Sequence, residues 1–409
     1  MRQNSRPVLD LCRLAAALLV ITIHTAPLSD VSAGADFFLT RILARVAVPY
    51  FFMLTGYFLE KGQWHGMGHT LGKTALIYAF SVLLYLPLNL YAGAFAPFSP
   101  GQFLRELLVD GTFYHLWYLP AVLLGVPVAW ALRRLGWKGG LAAAGALYLL
   151  GLLGDSYYGF AARVPLLKAM YEGLFTVSSY TRNGLFFAPL FLLLGALCTR
   201  VRLKWAWPLA AGSFVAMCAE AFLLKAAGAP RHDSMYVMLP LCMMALFSGL
   251  VQNNAGRCRA AAGTALWVYL LHPWCIVLVR GAAKVLGLQK LFVESGPGHF
   301  IAVALASFAL AFCAQWAAAR LTPARVPATA RAWREVDLAA LRHNAQVLME
   351  ALGGCSLMAV LKADAYGHGA GKVAKALRRC GVRAFAVATV AEGAALRRAF
   401  VRGEILVLG

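Results

Sequence analysis

Ten apolar segments dominate the first 320 residues of this 409-residue chain. A bilayer whose hydrocarbon core is about 30 Å thick requires roughly 20 apolar residues of helix, and most of the segments come near that length. Apolar residues make up 61% of the sequence and charged residues only 13%, whereas soluble domains carry about half and a quarter. The pattern predicts a polytopic α-helical membrane protein with a small soluble part. The segments are about 8–25, 40–59, 72–92, 115–132, 140–154, 184–199, 206–224, 235–251, 264–280 and 299–319.

The first segment has two interpretations, a membrane span or a cleaved signal peptide. Arg2 and Arg6 precede it, as in a signal peptide, but Asp10 and Arg13 interrupt its apolar run and further spans follow at once. We therefore favour a retained span. The fifth segment is short, and its boundaries are the least certain of the ten.

The net charge of +21 comes from basic residues that lie mostly in short loops between the apolar segments. This distribution follows the positive-inside rule and predicts a multi-pass protein of the inner (plasma) membrane with both termini in the cytoplasm. The sequence contains no basic module interleaved with aromatic residues, so the predicted partner is the lipid bilayer and not nucleic acid. The basic residues of the predicted inner loops are Lys61, Lys73, Arg133, Arg134, Lys138, Arg200, Arg202, Lys204, Arg257 and Arg259.

The nine cysteines are scattered and form no CxxC pair. Most lie in or beside apolar segments, where cysteine behaves as a small hydrophobic residue. The spacing predicts neither a disulfide framework nor a zinc site, and no other metal site is predicted.

The polar C-terminal part begins after a short linker with two prolines, residues 321–330. Within residues 331–409, an apolar run at 357–361 has the length of a buried strand, and Lys362 follows where that strand should end. A polar, glycine-containing loop and a helix at 372–379 come next. A lysine at the carboxyl end of a barrel strand occupies the position of catalytic groups in (β/α)₈ enzymes, and its amine can bond to an aldehyde cofactor. The geometry alone leaves open a surface lysine without a catalytic role.

Residues 362–369 (KADAYGHG), preceded by an apolar strand, resemble the lysine signature of the alanine racemase family, which uses pyridoxal 5'-phosphate (PLP). The resemblance extends upstream to an opening strand and first helix at 333–344. It extends downstream to a second strand at 384–388 and a third at 404–409. It implies that residues 331–409 fold as the first part of a PLP-binding (β/α)₈ barrel.

The same resemblance implies roles for two residues. Lys362 would bind the PLP aldehyde and exchange the α-proton on one face of the substrate, and Tyr366 would hydrogen-bond the cofactor phosphate. The family's second base, a tyrosine on the opposite face, has no counterpart in 331–409. We therefore expect an incomplete barrel here and no racemisation by the 409-residue chain itself. The resemblance also allows a homodimer formed through the racemase part.

Arg13 and His24 are ionisable residues inside the first apolar segment. In a helix, eleven residues make three turns plus about 20°, so both side chains share one face and lie about 16 Å apart along the axis. Ionisable groups within a span are costly and usually face a cavity or a partner. The alternative is an arginine that extends to the interface and a histidine with ordinary hydrogen bonds.

Residues 10–13 together with His24 resemble the Arg-x₁₀-His motif of the acyltransferase-3 family of membrane proteins. Further motifs of that family follow in order at 45–57, 115–119, 182–187 and 269–273. The resemblance implies an acyltransferase-3-like transmembrane domain over residues 1–320. In that family the histidine helps to move an acyl group from a cytoplasmic thioester to an acceptor, so Arg13 and His24 would be site residues.

A chain that combines these two sets of motifs resembles the membrane-bound serine/alanine racemases of the glycopeptide-resistance type. They imply a PLP-dependent racemase that interconverts L- and D-serine or L- and D-alanine for cell-wall precursors. They leave open whether the membrane half supplies L-serine or only anchors the enzyme. The alternative function is a membrane O-acyltransferase that transfers acetyl groups to a cell-surface acceptor, with the racemase part accessory.

Overall fold

The computed structural model describes residues 7–94, 99–253, 261–321 and 334–409. These residues divide into two compact units, here called the membrane unit (7–321) and the soluble unit (334–409). Each unit is described by itself.

Helices build the described part of the membrane unit. Two irregular helical segments, Phe38–Ile42 and Leu43–Val46, connect α2 to α3. The helices are α1 (Pro7–Thr25), α2 (Ala33–Phe37), α3 (Ala47–Lys61), α4 (Met67–Tyr91), α5 (Pro100–Arg105), α6 (Tyr118–Arg133), α7 (Gly136–Leu153), α8 (Tyr158–Ala161), α9 (Pro165–Val177), α10 (Ala188–Leu197), α11 (Ala206–Ala226), α12 (Leu239–Gln252), α13 (Ala261–Leu286) and α14 (Gly296–Leu321).

Seven helical stretches within the described residues are long and apolar enough to cross a membrane, and this confirms the membrane class. Three further apolar helices, α6, α10 and α12, have only 10–17 residues. All ten lie where the sequence predicts a span, but the number of crossings stays a prediction. The shortest of them is α10, from the sixth segment, whereas the fifth segment forms the 18-residue helix α7. At 1.5 Å per residue, ten residues of helix extend only about 15 Å, and such short apolar helices are often core helices.

The core of the membrane unit centres on α10, which packs against α3, α6 and α7. Residues 188–196 of α10 are all buried. Two glycines let the backbones of α3 and α10 touch, because a Cβ on Gly56 would overlap the backbone of Leu192 and one on Gly195 would overlap that of Met53. Small residues at the contact are the usual means by which membrane helices approach closely.

The soluble unit is an α/β segment with one parallel sheet. Its described strands are β1 (Met358–Val360), β2 (Ala384–Val387) and β3 (Glu404–Val407), in the spatial order β1-β2-β3. Ala359 pairs with Phe385, and Phe385 with Ile405. The helices are α15 (Leu338–Ala351), α16 (Lys362–Tyr366), α17 (Ala370–Arg379) and α18 (Val390–Arg398). Parallel strands require crossover connections, which α17 and α18 supply here. The sheet confirms the predicted α/β start, while closure into a barrel stays a prediction.

The prediction of an opening strand at 333–338 is wrong for the residues that the structure describes, because 334–337 form no strand. Asp337 is instead the N-cap of α15, where its Oδ1 accepts hydrogen bonds from the backbone N–H groups of Ala339 (2.7 Å) and Ala340 (3.0 Å). A side-chain cap of this kind satisfies donors that the first turn leaves unpaired, so these residues initiate the helix. The same bonds lower the pKa of the Asp337 carboxyl.

Candidate functional sites

Lys362 lies at the carboxyl end of β1, two residues beyond its last strand position. Its side chain is half-buried, and within the described residues it has neither a hydrogen bond nor an ion pair. Its Nζ lies 5.9 Å from the centre of the Tyr366 ring. Tyr366 is 66% exposed, so the amine and the phenol both stand at the open end of the sheet. The structure thus places close together the two site residues, Lys362 and Tyr366, that the sequence predicted in the soluble unit.

The segment after Lys362 is a left-handed turn and not the polar loop that the sequence suggested. Ala363, Asp364, Ala365 and Tyr366 have φ values of 51°, 55°, 55° and 52°. Four successive non-glycine residues in this region are unusual, because left-handed helix costs roughly 1–2 kcal/mol per L-residue. Such conformations persist only where the surroundings hold them, and they concentrate at functional sites.

Several contacts hold the turn. The backbone N–H of Gly367 donates to the carbonyl of Ala363 and that of Gly369 to the carbonyl of Asp364, both at 2.9 Å. The Asp364 carboxylate accepts from the N–H of Ala370 at 2.7 Å, at the first residue of α17. Asp364 therefore ties the turn to the helix that follows it.

Glu392 holds the turn from the other side. Its Oε1 accepts from the N–H of Ala363 at 2.8 Å, while its Oε2 accepts from the N–H groups of Ala388 (2.8 Å) and Thr389 (3.3 Å). These hydrogen bonds, that of Ala363 first, lower the pKa of the Glu392 carboxyl, and the nearby Lys362 ammonium lowers it further. With Thr389 it also forms a capping box at the start of α18. One carboxylate thus fixes both the helix start and the first residue after the lysine.

The donor set fits a PLP cofactor. An amine without a competing ion pair suits the aldehyde, and the exposed hydroxyl of Tyr366 suits a phosphate oxygen. Both belong to a single turn whose backbone is held by Asp364 and Glu392.

In the membrane unit, three histidines form an aromatic cluster. The His24 ring lies 5.3 Å from that of His272, and His272 lies 5.2 Å from His115. Tyr114 packs on His24 with ring centres 4.6 Å apart. His115 and His272 are buried, and neither ring nitrogen of His115 has a hydrogen-bond partner within the described residues.

The hydrogen bonds of His272 fix its tautomer. Its Nδ1 lies 2.9 Å from the carbonyl oxygen of Tyr269 and 3.2 Å from that of Val268. A carbonyl oxygen only accepts, so Nδ1 carries the hydrogen. In the neutral ring the Nε2 lone pair is then available, and Nε2 has no partner in the described structure. The cluster therefore contains a ring nitrogen that is free to accept a hydrogen bond or a proton.

Arg13 is not part of this cluster. Its Nη1 donates to the Asp10 carboxylate at 2.6 Å, and its guanidinium lies 6.0 Å from the Phe58 ring. His24 is eleven residues further along α1, about 16 Å away along the axis. The structure therefore places the two predicted membrane residues in separate surroundings.

His24 instead has cationic neighbours. Arg41, Arg45 and Arg182 lie within electrostatic range of its ring. Arg45 is only 9% exposed, and its Nε has no hydrogen-bond partner among the described residues. The sequence motifs beginning at Arg45 and Arg182 pointed to these two segments. The electrostatic influence of Arg182 on His24, from 158 residues away in the sequence, leaves no local signal.

The helical membrane unit, followed in the sequence by an α/β unit, defines an acyltransferase-type membrane protein with an alanine-racemase-like part after α14. The chain matches the family model described as "Acyltransferase domain" over residues 6–316 and that described as "Alanine racemase, N-terminal domain" over residues 336–409. Because the first match covers more than half of the sequence, the chain belongs to that acyltransferase family, the acyltransferase-3 family of the sequence motifs.

Two curated relatives align over nearly the whole chain and a third over part of the soluble unit. An "Amino-acid racemase" from Enterococcus faecalis is 39% identical over 425 residues, which cover 100% of this chain and 59% of the relative. A "Serine/alanine racemase" from Enterococcus gallinarum is 34% identical, covering 98% of this chain and 59% of the relative. An "Alanine racemase" from Citrifermentans bemidjiense is 51% identical over 76 residues, 18% of this chain and 20% of that protein. The chain thus spans about 59% of the length of its full-coverage relatives. No solved structure matches it significantly.

Proposed function

We propose that this chain carries the cofactor lysine of a membrane-anchored, PLP-dependent amino-acid racemase that acts on serine or alanine for cell-wall precursor synthesis. The observation that carries the proposal is the position of Lys362. It follows a parallel strand, begins a left-handed turn, and lies in a segment matching the N-terminal domain of alanine racemases. The names of the two enterococcal relatives support the same activity.

In this proposal, Lys362 holds the aldehyde end of PLP and Tyr366 its phosphate. When bound, PLP withdraws electrons from the substrate and so stabilises negative charge at the α-carbon. Once the substrate amine has displaced it from the aldehyde, the free Lys362 Nζ would accept or return the α-proton on its own face of the substrate. Glu392 keeps the turn in place through Ala363, so that the amine stays at the carboxyl edge of the sheet.

We further propose that all ten apolar helices cross the plasma membrane and that both termini are cytoplasmic. The basic inner loops support this orientation. The soluble unit would then meet the cytoplasmic pools of PLP and amino acids. The family resemblance supports a homodimer through the racemase part, which size-exclusion chromatography with light scattering would test.

Borohydride trapping tests the role of Lys362. Purified protein is incubated with PLP, reduced and digested, and mass spectrometry locates the pyridoxyl group. We expect the label on Lys362, and we expect Lys362→Arg to remove it. The matched control is Lys375→Arg, because Lys375 is an exposed lysine on the next helix. Equal labelling of Lys362 and Lys375 would contradict the proposal.

Acyl transfer by the membrane unit is a second candidate, and the histidine cluster favours it. The Nε2 lone pair of His272, beside His24, could accept a proton from an acceptor hydroxyl. Labelled acetyl transfer and labelled serine uptake, measured in the same cells, separate the two roles of the membrane unit. Acetyl transfer lost in His24→Ala at normal protein level would support the enzyme, and uptake without transfer would exclude it.

A further inference from the structure

An arginine cluster lies where several helices of the membrane unit end or begin. It consists of Glu60, Trp64, Arg133, Trp137 and Arg200, from the segments at the ends of α3, α6 and α10 and at the start of α7. The Oε1 of Glu60 forms salt bridges with the Nη2 of Arg133 (3.4 Å) and with the Nη2 of Arg200 (3.5 Å). Its Oε2 accepts a hydrogen bond from the Trp64 indole at 2.7 Å. One carboxylate therefore faces two guanidinium groups.

The segments that form this cluster contain a large excess of basic residues. Glu60 is the one acidic residue between positions 37 and 105, and the sequence has none between 111 and 154 or between 173 and 219. The same stretches add exposed basic residues on either side of the cluster. They are Lys61, Arg134, Lys138, Arg202 and Lys204. A partner for this surface must therefore be an anion.

The Trp137 ring contacts both arginines of the cluster. The guanidinium carbon of Arg133 lies 3.7 Å from the centre of the ring, and that of Arg200 lies 5.4 Å from it. Stacking on an aromatic ring holds a guanidinium in place and leaves the N–H groups at its edge available as donors. The Nε of Arg133 and the indole Nε1 of Trp137 have no hydrogen-bond partner within the described residues. The cluster thus holds more donors than Glu60 satisfies.

The first turn of α7 adds a further positive element. This helix of 18 residues begins at Gly136, and no side chain caps its start. The N–H groups and aligned peptide dipoles at a helix start favour an anion. Gly136 has a φ of 79°, a left-handed conformation that permits the short connection from α6. Because Trp137 is the second residue of α7, the arginine cluster lies beside the positive end of that helix.

The apolar side chains next to these basic residues favour a lipid over a dissolved anion. Leu135, which follows Arg134 in the turn between α6 and α7, is 63% exposed, and Trp205, which follows Lys204, is 76% exposed. Exposed apolar and basic side chains occur together at the head-group level of a bilayer, where tryptophan is enriched. A phospholipid covers such apolar surface with its own apolar part, whereas a dissolved anion leaves it in water. Basic pockets between membrane helices are known to bind anionic lipid head groups.

We propose that Arg133 and Arg200 bind the phosphate of an anionic phospholipid at the membrane face that carries the basic loops. A guanidinium donates two parallel hydrogen bonds to phosphate oxygens, and the cluster holds two guanidinium groups against one ring. The lipid phosphate balances the positive charge that Glu60 leaves uncompensated. A zwitterionic lipid fits less well, because its ammonium group would meet the surrounding basic side chains. This inference goes beyond the racemase activity and does not depend on it.

Thermal unfolding of the purified, delipidated 409-residue chain in detergent tests the proposal. The added probes are phosphatidylglycerol, phosphatidylcholine, glycerol 3-phosphate and inorganic phosphate. A ligand that binds only the folded state raises the melting temperature. We expect phosphatidylglycerol to raise it, phosphatidylcholine to raise it less than half as much, and the two soluble phosphates to leave it unchanged. A soluble phosphate acting as strongly as phosphatidylglycerol would overturn the lipid assignment, and phosphatidylcholine acting as strongly would overturn the preference for an anionic head group.

Arg200→Gln locates the site, and Arg202→Gln is its matched control. Each variant removes one exposed positive charge, but Arg202 has neither an ion pair nor a ring contact within the described residues. We expect Arg200→Gln to lose at least half of the rise caused by phosphatidylglycerol and Arg202→Gln to keep it. Arg200→Lys should keep only part of it, since an ammonium group retains the charge but not the paired donors. Equal losses in the two glutamine variants would indicate general attraction to a basic surface and refute a defined site.

Native mass spectrometry separates lipid binding from a structural role of Arg200. It counts the phospholipids retained by each folded chain, so a smaller yield of folded protein does not imitate a loss of binding. The Arg200 side chain is 61% exposed, and exposed ion pairs contribute little, so Arg200→Gln without lipid should melt close to wild type. We expect Arg200→Gln to retain one phosphatidylglycerol fewer than wild type or Arg202→Gln. The same number in all three proteins would refute the proposal.

Discussion

The contact between α3 and α10 gives a prediction whose size follows from the backbone geometry. In Gly56→Ala, the new Cβ would overlap the carbonyl oxygen of Leu192 and lie 2.7 Å from its carbonyl carbon and 2.9 Å from its Cα. Ordinary Cβ contacts begin at 3.4 Å, so the carbonyl carbon would have to move by about 0.7 Å, and the carbonyl oxygen, which is the nearest atom, by more. Backbone atoms within a helix cannot rotate away as a side chain can. The two helices must therefore separate along their whole contact.

Excess volume in a packed core costs about 1–3 kcal/mol, and the backbone contact places this case at the upper end. At about 2 °C per kcal/mol, the melting temperature should fall by roughly 4–6 °C. The assay is thermal unfolding of the purified protein in detergent, followed by fluorescence-detected size exclusion. Gly195→Ala should act similarly, since its Cβ would overlap the Met53 backbone. The double variant should cost less than the sum of the two, because the helices have already separated.

The matched control is Gly212→Ala in α11, where an added Cβ meets nothing within 4 Å. Alanine favours helix over glycine by up to about 1 kcal/mol, so this variant should be as stable as wild type or more so. If Gly56→Ala proves as stable as Gly212→Ala, the close approach of α3 and α10 is wrong.

Three further predictions concern orientation, the lysine turn and the histidine cluster. A reporter fused after residue 330 should be active only if it functions in the cytoplasm, and activity of a periplasmic reporter there would reverse the proposed topology. The pKa of Glu392 is lowered in the folded state, so its contribution to stability is complete above the ordinary glutamate value of about 4.3 and is lost as the pH falls through the lowered value. Glu392→Gln should therefore reduce the loss of stability of the soluble unit at acid pH, measured by pulse proteolysis. An unchanged dependence of stability on pH would show that Glu392 does not stabilise the turn. His24→Ala should keep a normal protein level while losing any activity of the membrane unit, and a loss of protein instead would mark His24 as structural.

Much of the fold could be predicted because its signals are local. The composition of each apolar segment is enough to predict that the segment forms a helix. The strand at 358–360, the lysine and the following helix succeed one another within about twenty residues, and the structure has them in the predicted order. The opening strand was wrong because Asp337 acts as a helix cap, and an extended residue before a helix is hard to distinguish from a strand by sequence.

The candidate sites were harder to predict because they depend on long-range contacts. His115 and His272 are more than 150 residues apart, yet their rings meet. Arg182 begins one of the family motifs, yet no local signal joined that segment to His24, which lies more than 150 residues away in the sequence. Helical periodicity could predict that Arg13 and His24 lie on one face of the helix. It could not predict that the Arg13 side chain turns to form a salt bridge with Asp10.

The left-handed turn after Lys362 bears on how the KADAYGHG string should be understood. An L-residue with a side chain branched at Cβ fits poorly at φ near 55°, whereas alanine, aspartate and glycine fit at lower cost. Residues 363–365 thus satisfy a steric requirement of the main chain, whatever they contribute to a cofactor. A saturation scan of these positions should tolerate glycine and asparagine and reject valine and isoleucine, even in a readout of folding alone. The sequence KADAYGHG would then reflect the steric requirements of a left-handed turn as well as the chemistry of its lysine.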